Sequence, residues 1–116
     1  MRRKSSTSAK IYYPRLGKEE VVRTLKEKIK SLNQILPLEE AYLIGSYAKG
    51  NYTAASDIDV LIVYMGNDPE AYRKAYTALR IPRLELLTYN HSEYDQIKRN
   101  KPASIRTLLK NAVKLI

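Results

Sequence analysis

The residues in this sequence whose types and spacing point to chemistry lie between positions 45 and 59. Gly45-Ser46 ends a short apolar run, and ten residues separate this pair from Asp57-Ile58-Asp59, which opens a second apolar run. A glycine–serine turn that leaves a strand and enters a helical segment offers free backbone N–H groups, a hydroxyl and the positive end of a helix dipole to an anion. The pair therefore predicts a phosphate-binding turn.

Asp57 and Asp59 are predicted to act together, because side chains two residues apart on a strand project from the same face, about 6–7 Å apart. Two carboxylates at this spacing, with no base beside them in the sequence, repel each other unless a cation lies between them. Mg²⁺ is the natural occupant, since hard oxygen ligands and a phosphate-bearing substrate are its usual environment. Two such ions about 3.5–4 Å apart can hold the attacking and leaving oxygens of a phosphoryl displacement.

Glu85 and Lys49 are further candidates for this site. Glu85 lies in an otherwise apolar run, and if that run pairs beside the strand of Asp59, a spacing of about 4.8 Å brings the two carboxylates within reach of each other. Glu85 is then either a metal ligand or the base that takes the proton of an attacking hydroxyl, unless it is an edge-strand carboxylate that faces water. Lys49 either contacts a phosphate or is solvated.

Other phosphate and metal sites are excluded by the residues present. Residues 45–50 fit the first half of a P-loop, but Asn51-Tyr52 stands where that loop requires Lys-Ser/Thr. An EF-hand also fails, because its third oxygen ligand and central glycine are missing after Asp59. The absence of cysteine excludes a disulfide framework, a thiolate-bound metal and a cysteine nucleophile. His91 is the only histidine and has no partner for a zinc site or a triad, so it receives no function.

A single α/β domain is predicted to position these residues, because helical and strand-like hydrophobic patterns alternate along the chain without a repeat or an internal linker. The predicted elements are a helix over residues 18–36 ended by Pro37, strands over 41–44 and 58–64, a helix after Asp68-Pro69, a strand over 84–89, a short helix opened by Ser92-Glu93 and a helix from Pro102. Residues 113–116 fit either a helical pattern or an edge strand.

The net charge of +9 does not by itself indicate a nucleic-acid-binding domain, because the excess of basic residues lies at the two ends of the chain. Residues 1–10 hold four bases and residues 98–116 hold six, with no acid in either segment. A solvated tail and a solvated helix face explain these ends at least as well as phosphate binding, so RNA is not favoured as a partner. Tyr72 and Tyr76 share an apolar helical stripe with Ala75 and Leu79, which predicts that the tyrosines serve core and surface packing rather than a base-stacking platform.

The chain is predicted to comprise a disordered basic arm at residues 1–10 and one folded domain at residues 11–116. No apolar stretch approaches the roughly 18 residues that a membrane-spanning helix needs. The basic start leads into serine and threonine residues rather than an apolar signal core. We therefore expect a cytoplasmic protein with no membrane association.

The spacing of Gly45-Ser46 and Asp57-Ile58-Asp59, with a carboxylate on a later strand, resembles the signature of the DNA polymerase β-like nucleotidyltransferases. The longer string GSYAKGNYTAASDIDVLIV resembles the minimal nucleotidyltransferases of prokaryotes, and the resemblance extends from about residue 18 to the C-terminus. It implies an α/β fold in which a small mixed β-sheet is backed by helices, like the palm of DNA polymerase β.

The resemblance also implies an activity. Members of this family transfer a nucleoside monophosphate from a nucleoside triphosphate to a hydroxyl group with Mg²⁺ and release pyrophosphate. By resemblance, Gly45 and Ser46 hold the triphosphate, Asp57 and Asp59 bind the metal ions, and Glu85 is the third carboxylate. Minimal members are often antitoxins encoded beside a helical HEPN ribonuclease toxin, which some of them silence by transferring AMP from ATP to a tyrosine. The alternative is a non-enzymatic module of the same fold that masks a partner or holds RNA.

Overall fold

A four-stranded mixed β-sheet with helices on both faces forms the framework of residues 17–116, the part of the chain that the computed structural model describes. The elements in chain order are α1 (Lys18–Ile35), β1 (Leu38–Ile44), α2 (Gly45–Lys49), β2 (Ile58–Tyr64), α3 (Ala71–Leu79), β3 (Leu84–Asn90), α4 (His91–Asn100), α5 (Pro102–Leu108) and β4 (Val113–Lys114). This architecture confirms the predicted α/β class. The predicted arm at residues 1–10 and the proposed domain start at residues 11–16 lie outside the described residues.

The strands lie in the order β3-β2-β1-β4. β1 is antiparallel to both β2 and β4, whereas β2 and β3 are parallel and are joined through α3. Parallel strands need such a crossover, since a tight hairpin can join only antiparallel ones. The short β4 pairs with Tyr42 and Leu43 of β1, so the C-terminal segment that fitted either helix or strand forms an edge strand.

The central strand β2 is buried on both faces, which explains why its sequence is a continuous apolar run rather than an alternating one. Val60 and Ile62 pack in a core with α1 and α3 on one face of the sheet. Leu61 and Val63 pack on the other face against residues of α4 and α5. Two helical layers therefore enclose the sheet, and the predicted strand over residues 58–64 has the observed bounds.

The first helix follows its hydrophobic pattern closely. Val21, Leu25, Ile29 and Leu32 are buried along one face at spacings of three and four residues, as the pattern predicted. The helix ends at Ile35, two residues before Pro37, because the residue before a proline is disfavoured in the helical conformation. Within the described residues no helix is both long and apolar enough to cross a lipid bilayer.

The predicted place of Tyr72 and Tyr76 on the apolar face of α3 is wrong. Their side chains are 55% and 46% exposed, and the two rings stack on each other with centroids 6.1 Å apart. The buried side of the helix consists of Ala71, Ala75 and Leu79. Each tyrosine follows a buried alanine by one position, which rotates it by about 100° around the helix. The small alanines face the core, while the aromatic rings cover the helix surface.

The fourth helix begins at His91, one residue earlier than predicted. Asn90 caps it, because the Asn90 side chain accepts a hydrogen bond from the Glu93 N–H at 2.8 Å. The Glu93 carboxylate in turn accepts from the Asn90 N–H at 2.9 Å, which completes a reciprocal capping box. Ser92 therefore lies inside the first turn rather than at its start.

Candidate functional site

A cavity of about 390 Å³ lies where β1 ends, α2 begins and β2 and β3 start. Its lining combines the polar side chains of Lys49, Asp59, Glu85 and Thr107 with Ile44, Gly45, Leu86, Leu87 and Leu108. Gly45, Lys49, Asp59 and Glu85, singled out from the sequence, thus lie around one space. Among the described residues, Ser46 and Asp57 border this region without lining the cavity.

Gly45 meets two separate requirements for glycine. Its φ of +76° lies in the left-handed region, which side chains other than glycine rarely adopt. A Cβ atom at this position would overlap Oδ2 of Asp59 and stand 3.1 Å from Cγ of the same side chain. Ile44 and Asp59 are register partners across β1 and β2, so the turn leaves β1 directly beside the aspartate. The Asp59 carboxylate therefore lies against the backbone of the glycine–serine turn.

Asp59 and Glu85 form a pair of neighbouring carboxylates. They are register partners across the parallel strands β2 and β3, so their side chains project from the same face of the sheet. Burial raises the pKa of Asp59, and the nearby charges of Asp57 and Glu85 raise it further. The protein thus holds negative charge at the cavity without fully compensating it.

Asp57 lies just before β2 and has a neighbour that the sequence pattern did not suggest. The guanidinium Nη2 of Arg83 is 3.7 Å from Oδ1 of Asp57 and also donates a hydrogen bond of 2.6 Å to the carbonyl of Ala55. No base stands beside the two aspartates in the sequence, but strand pairing brings Arg83 close to Asp57. A signal was available, because pairing Asp59 with Glu85 places Arg83 opposite Asp57.

The fit of these residues to Mg²⁺ depends on donor chemistry and on arrangement. Carboxylate oxygens are the ligands that Mg²⁺ prefers, and the mutual repulsion at Asp59 is the kind that a divalent cation relieves. No group of three or more histidine, aspartate or glutamate side chains within residues 17–116 is arranged as a complete metal site. Asp59 and Glu85 face one cavity, while Asp57 contacts Arg83. The donor set fits the ion in chemistry, and a three-carboxylate ligand set remains a prediction.

Packing fixes the position of α2, the short helix that Gly45-Ser46 opens. Tyr47 is 2% exposed, and its ring stacks on that of Tyr52 with centroids 4.1 Å apart. The Lys18 ammonium donates to the carbonyl of Ala48 at 2.8 Å, and the Lys18 N–H donates to the Tyr52 hydroxyl at 3.1 Å. The start of α1 thus holds α2 in place. Because packing fixes the turn, its groups are already in position when an anion binds there.

The remaining cavity wall combines one expected and several unexpected residues. Lys49, the last residue of α2, is exposed and brings a positive charge to the wall. Thr107 and Leu108 of α5 also line the cavity, although the sequence pattern marked α5 only as a helix. No local signal in the sequence could identify Thr107 and Leu108, because their place depends on how α5 packs against the sheet. His91 begins α4, where its Nδ1 lies 2.7 Å from Oε1 of Glu39.

Comparisons with known proteins identify the family and support the fold. Residues 22–115 match the sequence family described as the nucleotidyltransferase domain. A candidate protein adenylyltransferase of Methanocaldococcus jannaschii is 44% identical over 46 residues, which cover 38% of this chain. The aligned stretch spans 46% of that protein, so the match reaches about half of the length of this relative.

Two solved structures resemble the fold. A candidate nucleotidyltransferase from Sulfolobus solfataricus has a TM-score of 0.57 and 23% identity, with 84% of this chain and 80% of that chain covered. A toxin–antitoxin structure with AMP-PNP has a TM-score of 0.49 and 22% identity, with 78% of this chain and 72% of that chain covered. The first of these supports the mixed sheet with its helical layers as a shared fold.

Proposed function

Because this chain belongs to the nucleotidyltransferase domain family, we propose that it transfers AMP from ATP to a hydroxyl group of a partner protein. In this reaction the hydroxyl oxygen attacks the α-phosphorus, the bond to pyrophosphate breaks and the hydroxyl proton is taken up by a base. The acceptor we propose is a tyrosine of a helical toxin of the HEPN type, so that the protein is the antitoxin of a pair.

The pairing of Asp59 with Glu85 beside the glycine–serine turn carries this proposal. The first backbone N–H groups of a helix are suited to bind an anion, and the two carboxylates lie on neighbouring strands at the same cavity as Gly45. A triphosphate held at Gly45 and Ser46 would therefore have its reacting phosphorus close to Asp59 and Glu85. Phosphate binding and acid–base chemistry are then served by neighbouring elements of one rigid framework.

Asp57, Asp59 and Glu85 are the residues that we propose to hold Mg²⁺, and Lys49 is a proposed phosphate contact. When bound, Mg²⁺ supplies positive charge that offsets the triphosphate and the developing charge on the leaving pyrophosphate. Asp59 is partly shielded from water, and this burial, followed by the charges of Asp57 and Glu85, raises its pKa. A bound cation would supply a positive charge that offsets the charge of Asp59. Glu85 is exposed and lines the cavity at which the acceptor hydroxyl would arrive, so it is also the proposed general base.

A protein is the proposed acceptor because the cavity is small and the relative from Methanocaldococcus jannaschii bears the name of a protein adenylyltransferase. A volume of about 390 Å³ lies near the lower end of the range of about 300–1,000 Å³ for ligand pockets. ATP alone would occupy much of it. The acceptor hydroxyl would then arrive on a separate molecule that supplies its own orientation.

Transfer to the product of the neighbouring gene tests the proposal. The chain is incubated with that protein, ATP and Mg²⁺, and intact mass spectrometry is expected to detect one AMP adduct on the partner. Asp59→Asn in the same mixture serves as the matched control and should give no adduct. AMP found on RNA or a small molecule, with the partner unmodified, would refute the protein acceptor alone. Failure to release pyrophosphate with any of these acceptors would refute the activity.

Nucleotide binding gives an independent measurement. Calorimetric titration with ATP should yield saturable binding with Mg²⁺ and much weaker binding in EDTA, because the carboxylates and the triphosphate repel each other without a cation. Equal affinity under both conditions would exclude the metal site. It would favour the alternative of a non-enzymatic binding module on this fold.

A further inference from the structure

The C-terminal segment that contains helix α5 is basic and has no acidic residue. Residues 98–116 contain six lysines and arginines and no aspartate or glutamate. Lys101, Arg106 and Lys110 are exposed, as are Ser104 and Thr107 between them. We call these five residues, together with Ala103 and Leu108, the α5 surface.

The α5 surface adjoins the cavity that holds Asp59 and Glu85. Thr107 and Leu108 line this cavity, and the same two residues also line a shallow depression of about 410 Å³ with Ala103 and Ser104. Helix α5 therefore separates the cavity from the outer depression and forms the rim that the two share. A molecule seated in the outer depression would have only one helix between it and the carboxylates, and a side chain could extend over Thr107 into the cavity.

The positive charges of this surface lack partners within residues 17–116. Arg99 is paired with Asp95 at 3.0 Å, and Lys98 lies 5.0 Å from the ring centroid of Tyr94. In contrast, the side chains of Lys101, Arg106 and Lys110 make no ion pair or hydrogen bond with a carboxylate in the described part of the chain. Unpaired charges of one sign raise the rate at which an oppositely charged surface associates and fix its orientation.

We propose that the α5 surface docks an acidic segment of the acceptor protein and delivers its hydroxyl over Thr107 to the cavity. The acceptor role rests on the proposed function, whereas the binding of an acidic protein segment to this surface does not. The basic residues select the charge of the partner. The apolar atoms of Ala103 and Leu108 provide contact for a side chain that enters the rim.

An acidic protein fits this surface better than a nucleic acid does. Proteins that bind single strands combine basic grooves with exposed aromatic rings, on which successive bases stack. Residues 98–116 contain no tyrosine, tryptophan or phenylalanine. Tyr94, the aromatic residue nearest to them in sequence, is 2% exposed. The surface thus offers charge and small apolar contacts without a stacking platform.

Binding of a defined acidic probe tests the docking surface directly. The probe is a fluorescent random copolymer of glutamate and tyrosine, with fluorescence anisotropy as the readout. The double variant Arg106→Glu/Lys110→Glu should weaken binding by about tenfold or more, because it reverses two charges at the proposed contact. The matched control, Lys26→Glu/Lys30→Glu, changes the net charge equally at exposed positions of α1 on the other face of the sheet. It should change affinity by less than about twofold.

Circular dichroism melts establish that each variant is folded, and Arg106→Ala/Lys110→Ala provides a milder pair that should lose part of the affinity. Equal losses in the α5 and α1 variants would overturn the proposal, because binding would then follow net charge alone. Tighter binding of an oligouridylate that displaces the copolymer would also overturn it in favour of a nucleic acid. Copolymer binding that depends on α5 supports the surface whether or not AMP reaches the copolymer tyrosines, because the proposed function is decided separately, by AMP transfer to the product of the neighbouring gene.

Discussion

The two ends of β2 place aspartates in opposite electrostatic settings. At its start, Asp59 faces a cavity, and burial followed by the charges of Asp57 and Glu85 raises its pKa. Beyond its end, Asp68 accepts hydrogen bonds from the Lys74 ammonium at 2.6 Å and from a backbone N–H at 2.9 Å. These contacts, with Lys74 first, lower the pKa of Asp68. The fold therefore stabilises the ionised form of Asp68 and disfavours the ionised form of Asp59.

This difference separates a structural carboxylate from one available to a ligand. Asp68 joins β2 to α3 and receives its counter-charge from the fold itself. At the other end, the guanidinium of Arg83 stands 3.7 Å from Asp57, and within residues 17–116 neither Asp59 nor Glu85 forms an ion pair. Neighbouring carboxylates repel each other and destabilise the folded state, and such clusters occur preferentially at functional sites. The missing positive charge at the start of β2 is then the one that a bound cation would bring.

Removing each carboxylate should produce the largest contrast between the two ends. Asp59→Asn is expected to lower AMP transfer by roughly a hundred- to a thousandfold, because it removes a proposed ligand of the Mg²⁺ ion that offsets the charge of the triphosphate. Asp68→Asn should change the rate by less than about twofold, since it affects only the connection to α3. Pyrophosphate release at saturating ATP measures both. Similar losses in the two variants would remove the functional distinction between the two ends.

Glycine substitutions test how tightly Asp59 is held against the turn. Gly66→Ala, at a φ of +85° with open space around the new methyl group, should cost about 1–2 kcal/mol from backbone strain alone. Gly45→Ala has similar strain and also overlaps the Asp59 carboxylate, so it should cost about 1–3 kcal/mol more. Urea unfolding measures each cost. In an Asp59→Ala background, Gly45→Ala should cost no more stability than Gly66→Ala. If Gly45→Ala still costs about 1–3 kcal/mol more, its methyl group clashes with something other than the Asp59 side chain.

The sequence predicted the parts of the molecule that local patterns determine. The bounds of β2 and the start of α1 at Lys18 follow from hydrophobic periodicity, because each element buries a regular set of side chains. The pairing of Asp59 with Glu85 needed only the assumption that β2 and β3 are neighbours. Tyr72 was misplaced because Tyr and Ala both count as apolar in a stripe, although only the small side chain fits the packed face.

The parts that sequence could not predict depend on packing between distant elements. Thr107 reaches the cavity through the docking of α5 on the sheet, which no spacing in its own segment reveals. Arg83 was overlooked because its role follows from strand register rather than from a motif. The same limit applies to the unpaired charge of the α5 surface. Its acid-free composition is visible in the sequence, but its position beside Asp59 is not.

Replacing Arg83 tests how much the positive charge beside Asp57 contributes to AMP transfer. Arg83 has a φ of +64°, and asparagine tolerates that conformation, so Arg83→Asn removes the guanidinium with little backbone strain. Exposed ion pairs contribute about 0.2–1 kcal/mol, so we expect AMP transfer to fall by about two- to fivefold. Arg80→Asn, at an exposed position nearby, is the control and should leave the rate unchanged. A hundredfold loss would instead assign Arg83 a direct role at the phosphates.

The smallest expected effect, and the one that compares the two ends most directly, is the dependence of stability on pH without metal. The pKa of Asp59 in the folded state is raised above 3.8, so its ionisation destabilises the fold as the pH rises from 3.8 through the raised pKa. Asp59→Asn should therefore melt at a slightly higher temperature than the parent at pH 7. The pKa of Asp68 is lowered, so the stability it contributes is present above pH 3.8 and is lost as the pH falls through the lowered pKa, and Asp68→Asn should melt at a lower temperature than the parent at pH 7. Both differences should shrink in acid. Thermal melts in EDTA between about pH 3 and 7 measure them, and differences of the same sign would mean that the two carboxylates occupy equivalent settings after all.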